Sequence, residues 1–196
     1  MPDDTSADAR KRRSPRADAV RNRQRVLSAA REAFAAEGPS VSLDDIARRA
    51  GVGAGTVHRH FPTKDELLRA VIVDRLEELA TAARGLADAA DPGQAFFTFL
   101  RQLVAESRHN LAVSTALTDP SDVGGAVLEA GGALREALAA LLSRAQEAAA
   151  VRSDVDADEL HAIILGALTM EQHLPPDSRG LGLAVIVDGL RSVRDR

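Results

Sequence analysis

Apolar residues recur along this chain at helical spacing, with no run of alternating β-branched residues long enough for a sheet. Val26, Leu27, Ala30, Ala33 and Phe34 form the first stripe, on a helix expected from about Asp18 or Ala19 to Glu37 and ended by Gly38 and Pro39. Ser42 is a good N-cap, Asp44 and Asp45 place negative charge on the turn behind it, and Val41 and Ile46 flank it as a hydrophobic staple. A short helix should therefore start at Leu43. It should stop at Ala50, because Gly51 can take the left-handed conformation that closes a helix, with Val52 and Gly53 as a tight connection. A second short helix is expected over Ala54 to His60. Ile46, Ala47, Val52, Val57 and Phe61 fall on one side when these two helices cross steeply, as in a helix-turn-helix unit. Ala54, Gly55, His58 and Arg59 are left facing out.

A Thr63-x-x-Glu66 capping box then opens a long helix from Lys64 to about Ala89, carrying Leu67, Leu68, Val71, Ile72, Leu76 and Leu79. Lys64 at its first position opposes the helix dipole, which suggests an external anion there. Asp91 and Pro92 open a helix bearing Phe96, Phe97, Phe99, Leu100, Leu103 and Val104. Arg108, His109 and Asn110 interrupt that pattern before Leu111, Val113, Ala116 and Leu117 restore it for a short helix ending at Asp119 and Pro120. The next helix should run from about Val123 to Ala150, with Val127, Leu134, Leu138, Leu141, Leu142 and Ala145 inward. Gly131 and Gly132 sit inside it, each costing ~1 kcal/mol relative to Ala, and mark a kink, a break or a close helix contact. Asp156-x-x-Glu159 caps a helix through Met170, and a final helix is expected from Leu181 to Val193. Both are apolar around too wide an arc for one buried face. The fold expected is all-α, with about nine helices.

Composition agrees. The 196 residues are 45% hydrophobic but only 3% aromatic, and the absence of cysteine excludes disulfides and thiolate metal sites. No segment approaches the ~18 uninterrupted apolar residues of a membrane span, and no apolar signal core opens the chain, so a cytoplasmic location with no membrane partner is expected. The net charge of −4 conceals an asymmetry: Arg10 to Lys64 holds 13 Lys and Arg against 5 Asp and Glu, whereas residues 66–196 hold 12 against 20. Residues 1–17 read as a disordered basic tail containing Arg10, Lys11, Arg12, Arg13 and Arg16, either a solvated charge run or an arm that follows nucleic-acid backbone. The histidines are too scattered for a metal site, and no cofactor is expected. No phosphate-cradling glycine loop, nucleophile elbow or HExxH supports an enzyme.

AREAFAAEG on the first helix, the S-x-DDIA-x-x-AGV block, GTVHRHF and TKDELL together resemble the DNA-binding signature of the tetracycline-repressor (TetR) family, from about Val26 through Val71. The chain departs from that pattern at His58 and His60, where the family more often carries tyrosine, and at Gly53 and Ala54, where longer polar side chains are frequent. The resemblance implies a helix-turn-helix DNA-binding domain over residues 18–63 and a ligand-binding and dimerisation domain over residues 64–196. It places Ser42, Thr56, His58 and Lys64 at positions used for DNA contacts, mostly to phosphates. Arg59 is the one side chain on the recognition helix capable of bidentate guanine readout. Gly53 and Ala54 offer few hydrogen bonds, leaving backbone approach and DNA shape. Thr56 has the alternative of bonding its own helix backbone, and His60 is expected to pack beside Phe61.

The resemblance further implies that the last two helices pair with those of a second subunit, through Leu160, Ile164, Leu168, Leu183, Ile186, Val187 and Leu190; burial inside their own domain is the alternative. An effector pocket would be walled by Phe96, Phe97, Phe99, Leu100, Leu103 and Leu138, with Arg108, His109, Asn110 and His161 as polar anchors, core packing being the other fate of each apolar residue. The function expected is that of a ligand-responsive repressor that binds a near-palindromic double-stranded operator as a homodimer and is released by a small-molecule effector. The alternative is a DNA-binding helical dimer without an effector, a constitutive or architectural regulator.

Overall fold

The computed structural model describes residues 15–107, 124–175 and 180–192. Among them are eight α-helices: α1 (Pro15–Glu37), α2 (Leu43–Ala50), α3 (Ala54–His60), α4 (Lys64–Gly85), α5 (Pro92–Ser107), α6 (Gly125–Glu147), α7 (Ala157–His173) and α8 (Leu181–Leu190). A 3-10 turn, Gly38–Ser40, joins α1 to α2. Residues 1–14, and with them Arg10 to Arg13, lie outside the described residues, as do Arg108, His109, Asn110 and the ninth helix expected between Leu111 and Asp119.

Helix ends fall where local chemistry places them. Gly38 leaves α1 at φ +72° and Gly51 leaves α2 at φ +61°, conformations in which a Cβ is strained. Thr63 accepts from the Glu66 amide at 3.2 Å while the Glu66 carboxylate accepts from the Thr63 amide at 3.0 Å, and Asp156 and Glu159 repeat this box at the start of α7. Asp91 Oδ1 accepts from the Gln94 amide at 2.8 Å ahead of α5. Several expectations shift: α6 ends at Glu147 rather than Ala150, and α8 ends at Leu190 rather than Val193, because Arg191 is already extended. α1 already includes Pro15, ahead of the start expected near Asp18, and residues before Pro15 lie outside the described ones. α4 stops at Gly85 rather than Ala89, because the amides of Leu86, Ala87 and Ala89 reach back only three residues, to Ala83, Arg84 and Leu86. α6 runs unbroken through Gly131 and Gly132, which removes a break, and among the described residues a Cβ on either would meet nothing within 4 Å, so no described helix makes a close contact there.

Two cores result. The first gathers Val26, Leu27, Ala30, Ala33 and Phe34 of α1, Ile46, Ala47 and Ala50 of α2, Val57, Phe61, and Leu67 and Val71 of α4. The second begins one residue later, at Ile72, and takes Leu76 and Leu79 of α4 together with the inward faces of α5 to α8. α4 is thus common to both, and it packs along α6. Beside the seam, one guanidinium straps α1 to α4: Arg31 donates to Asp74 Oδ2 at 3.0 Å and to Glu78 Oε2 at 3.0 Å, and Arg75 donates to Glu78 at 2.7 Å. At the far end an isolated antiparallel bridge joins Val151 to Arg191.

Candidate nucleic-acid interface

The sequence Ser42 to Phe61 folds as two short helices because α2 is closed by hydrogen bonds at both ends, while α3, whose Gly53 N-cap offers no side-chain bond, is held by its buried anchor. Ser42 Oγ accepts from the Asp45 amide at 3.1 Å and donates its own hydrogen to Asp45 Oδ2 at 2.8 Å. At the other end the Gly51 amide reaches the Arg48 carbonyl at 3.1 Å and the Val52 amide the Ala47 carbonyl at 3.1 Å. Arg25 of α1 then donates to the Gly51 carbonyl at 3.1 Å, fixing the turn against the bracing helix. α3 follows with Gly53 as its N-cap, and Val57, with no exposed surface, anchors it in the first core.

That anchoring decides what α3 presents. Gly53, Ala54, Gly55, His58, Arg59 and His60 are exposed and Thr56 is half-buried. His60 does lie beside Phe61, 6.2 Å between ring centroids, but it is exposed rather than tucked under the turn, and the Arg23 guanidinium approaches the Phe61 ring at 5.8 Å. Arg59 donates to Thr56 Oγ1 at 3.3 Å, so Thr56 holds the arginine. His58 Nε2 lies 3.2 Å from Asp44 Oδ1, which joins the start of α2 to the outer face of α3. Lys64 is half-buried at the first position of α4, and neither it nor Arg59 forms an ion pair among the described residues.

The acidic residues of α2 are as much part of this face as the basic ones. Hydrogen bonding from Ser42, followed by the charge of Arg48, holds the Asp45 carboxyl below the ordinary carboxylate value. Arg48, 76% exposed, donates to Asp45 at 2.5 Å. Sequence reasoning treated Asp44 and Asp45 only as helix-start charges and passed over Arg48; the three-residue spacing of Asp45 and Arg48 was the available signal.

Residues 91–192 match the family described as transcriptional regulator SbtR-like, C-terminal domain, and residues 26–71 match the bacterial regulatory proteins, tetR family. This chain belongs to the TetR family of transcriptional regulators. Its members bind DNA through the helix-turn-helix and are not enzymes. A crystal structure of a TetR transcription regulatory protein from Mycobacterium vanbaalenii is 43% identical, covering 90% of this chain and 98% of that one with a TM-score of 0.71. The TetR regulator SCO0520 from Streptomyces coelicolor is 30% identical, over 87% and 99% of the two chains, with a TM-score of 0.70. The helix-turn-helix regulator TtgW of Pseudomonas putida is 47% identical over 68 residues, which are 34% of this chain and 51% of TtgW. The match to that curated relative thus spans about half its length.

In the C-terminal TetR domain the candidate pocket and interface residues have these positions. Phe96, Phe99, Leu100 and Leu103 are at most 2% exposed and Leu138 is 6% exposed, all packed in the second core. His161 is half-buried on α7, and burial, then the neighbouring charge of Arg135, pushes its pKa down. Among the described residues, one surface cleft of about 290 Å³ lies between Gln94, Phe97, Arg101 and Arg191, and another of about 460 Å³ between Gln24 and Glu77. Of the residues expected to meet a second subunit, Leu160, Ile164, Leu168, Leu183, Val187 and Leu190 are at most 7% exposed, being packed mainly within their own chain, and Ile186 is half-buried. α7 turns Asp158, Glu159, Ala162, Gly166, Thr169 and His173 outward, and α8 turns out Leu181, Ala184, Val185 and Asp188, so the small and apolar stretch of each face is bordered by charge. Among the described residues no helix is long and apolar enough to cross a membrane.

Proposed function

We propose that this TetR regulator is a ligand-responsive repressor that binds a near-palindromic operator as a homodimer and releases it when a small-molecule effector occupies the C-terminal domain. The observation that carries the reading is the division of α3: Val57 is sealed in the first core while Arg59 stands exposed and, among the described residues, uncommitted to any carboxylate. Arg59 reads a base edge, His58, Ser42 and Lys64 meet phosphates, and Gly53 and Ala54 admit close backbone approach. Two such heads would enter successive major grooves about 34 Å apart on one DNA face. The second copy docks on the outward faces of α7 and α8, where Leu181 and Val185 are 72% and 65% exposed and Ala162 and Gly166 leave room for close approach. An effector opening the core around Phe96, Phe99, Leu100, Leu103 and Leu138 would press on α4, and the strap between Arg31 and α4 would carry the tilt to the head. His161, half-buried on α7, supplies a polar contact of that pocket.

The dense packing of those five apolar residues favours a second reading, a DNA-binding dimer that senses nothing. The test is enrichment of sequences from a randomised duplex pool by the intact protein, followed by sedimentation and by operator binding in the presence of an effector library. An enriched palindrome, a dimer at micromolar concentration and loss of binding with at least one compound support the repressor. Enrichment with no compound effective supports the constitutive regulator, and a monomer defeats the paired-head arrangement.

A further inference from the structure

We infer that Asp44 is a positioning residue of the DNA-binding face, holding His58 back from the phosphate backbone until an operator is seated; this rests on the assignment of His58 to a phosphate. An ionised carboxylate only accepts hydrogen bonds, so in the 3.2 Å contact the hydrogen lies on His58 Nε2 and points at Asp44 Oδ1. The side chains are 50% and 72% exposed respectively, so the pair sits on the surface that DNA must cover. His58 Nε2 cannot donate fully to a phosphate and to Asp44 together. Asp44 also has no part in the cap of α2, where Ser42 takes the Asp45 amide and Asp45 takes the Ser42 hydroxyl. The helix dipole accounts for an acidic residue here but not for its engagement of the recognition helix.

The consequence differs between two kinds of complex. On DNA without the operator sequence, attraction is electrostatic and the head rides loosely over the backbone, so nothing offsets the loss of the Asp44 contact and His58 stays with it. On an operator, base contacts from Arg59 bring α3 close enough for a phosphate to take His58 from the carboxylate. Asp44 thereby widens the gap between specific and non-specific affinity.

The test compares wild type, Asp44→Asn, His58→Gln and the double variant on two duplexes of equal length, one enriched by the wild-type protein from a random pool and one scrambled, across a salt series. Asp44→Asn is expected to tighten scrambled-DNA binding about three- to tenfold and to change operator binding by less than about twofold. In the His58→Gln background the tightening should vanish. Equal tightening on both duplexes, or tightening that persists without His58, would reduce Asp44 to a plain charge and overturn the inference, as would no tightening at all. Failure of the wild type to enrich any sequence would overturn the DNA assignment of His58 as well. Asp44→Ser, run in parallel and checked by thermal melting, gives the same comparison if the amide disturbs the first turn of α2.

Discussion

Val71 and Ile72 are consecutive on α4 and point into different cores, Val71 into the head and Ile72 into the C-terminal domain. A single helix therefore sets where both units stand, and displacement of one is felt by the other. Ile72→Ala should cost ~2–5 kcal/mol of unfolding free energy, as large-to-small changes at fully buried sites do. It should also change operator affinity although residue 72 packs with the C-terminal domain, and urea unfolding with parallel binding measurements checks both.

Glu78 gives the strap between α1 and α4 a pH dependence of known sign. Burial by itself would raise its pKa, but hydrogen bonds from Arg31 and Arg75 outweigh that and leave the carboxyl below its ordinary value of 4.5. A carboxyl depressed in the folded state stabilises the fold above its unfolded pKa, and that contribution is lost as pH falls through the folded value. Thermal melting of wild type should thus fall more steeply than that of Glu78→Gln below pH about 4.5. Superimposable acid limbs would remove the strap from the stability of the fold.

Two glycines should respond to alanine with opposite signs. At Gly51 the backbone is left-handed, and a Cβ would come within 2.5 Å of Arg25 Nη2, so Gly51→Ala should destabilise the head by about 1–2 kcal/mol. Gly132 lies exposed inside α6 with nothing within 4 Å of an added Cβ, so Gly132→Ala should stabilise by up to ~1 kcal/mol. Melting temperatures of the two variants give the answer directly.

Arg59 and Lys64 should separate reading from holding. Arg59→Ala is expected to lose ~1–3 kcal/mol on operator DNA and to relax preference at one base position. Lys64→Ala is expected to weaken all duplexes alike and to lower the salt slope by about 1. Equal losses on operator and scrambled DNA for Arg59→Ala would move Arg59 to the backbone class.

The elements that were legible in the sequence are those closed by local chemistry. Ser42, Gly51, the Thr63 and Glu66 box and the Asp156 and Glu159 box act within a few residues of themselves, so α2, α3 and the starts of α4 and α7 fall where expected. The end of α4 lacks such punctuation: the alanine-rich run after Leu79 continues the helical pattern beyond the point where the backbone tightens at Gly85. Residues such as Leu160, Leu168 and Leu190 show a different limit. An all-round apolar helix declares that it will be covered, but not which face its own chain will cover first. The contact of Asp44 with His58 spans fourteen residues and a steep helix crossing, and no local spacing rule reaches it.

The bridge of Val151 to Arg191 is flanked by hydrogen bonds from the Arg152 amide to Leu190 and from the Ser192 amide to Ala150, each near 3 Å. The tail of the last helix is in this way buttoned to the turn that follows α6, while the Arg191 guanidinium lies 4.8 Å from the centre of the Phe97 ring on α5. Trimming the chain at Leu190 would unfasten three helices at once, whereas an appendage joined after Ser192 would leave the clasp closed.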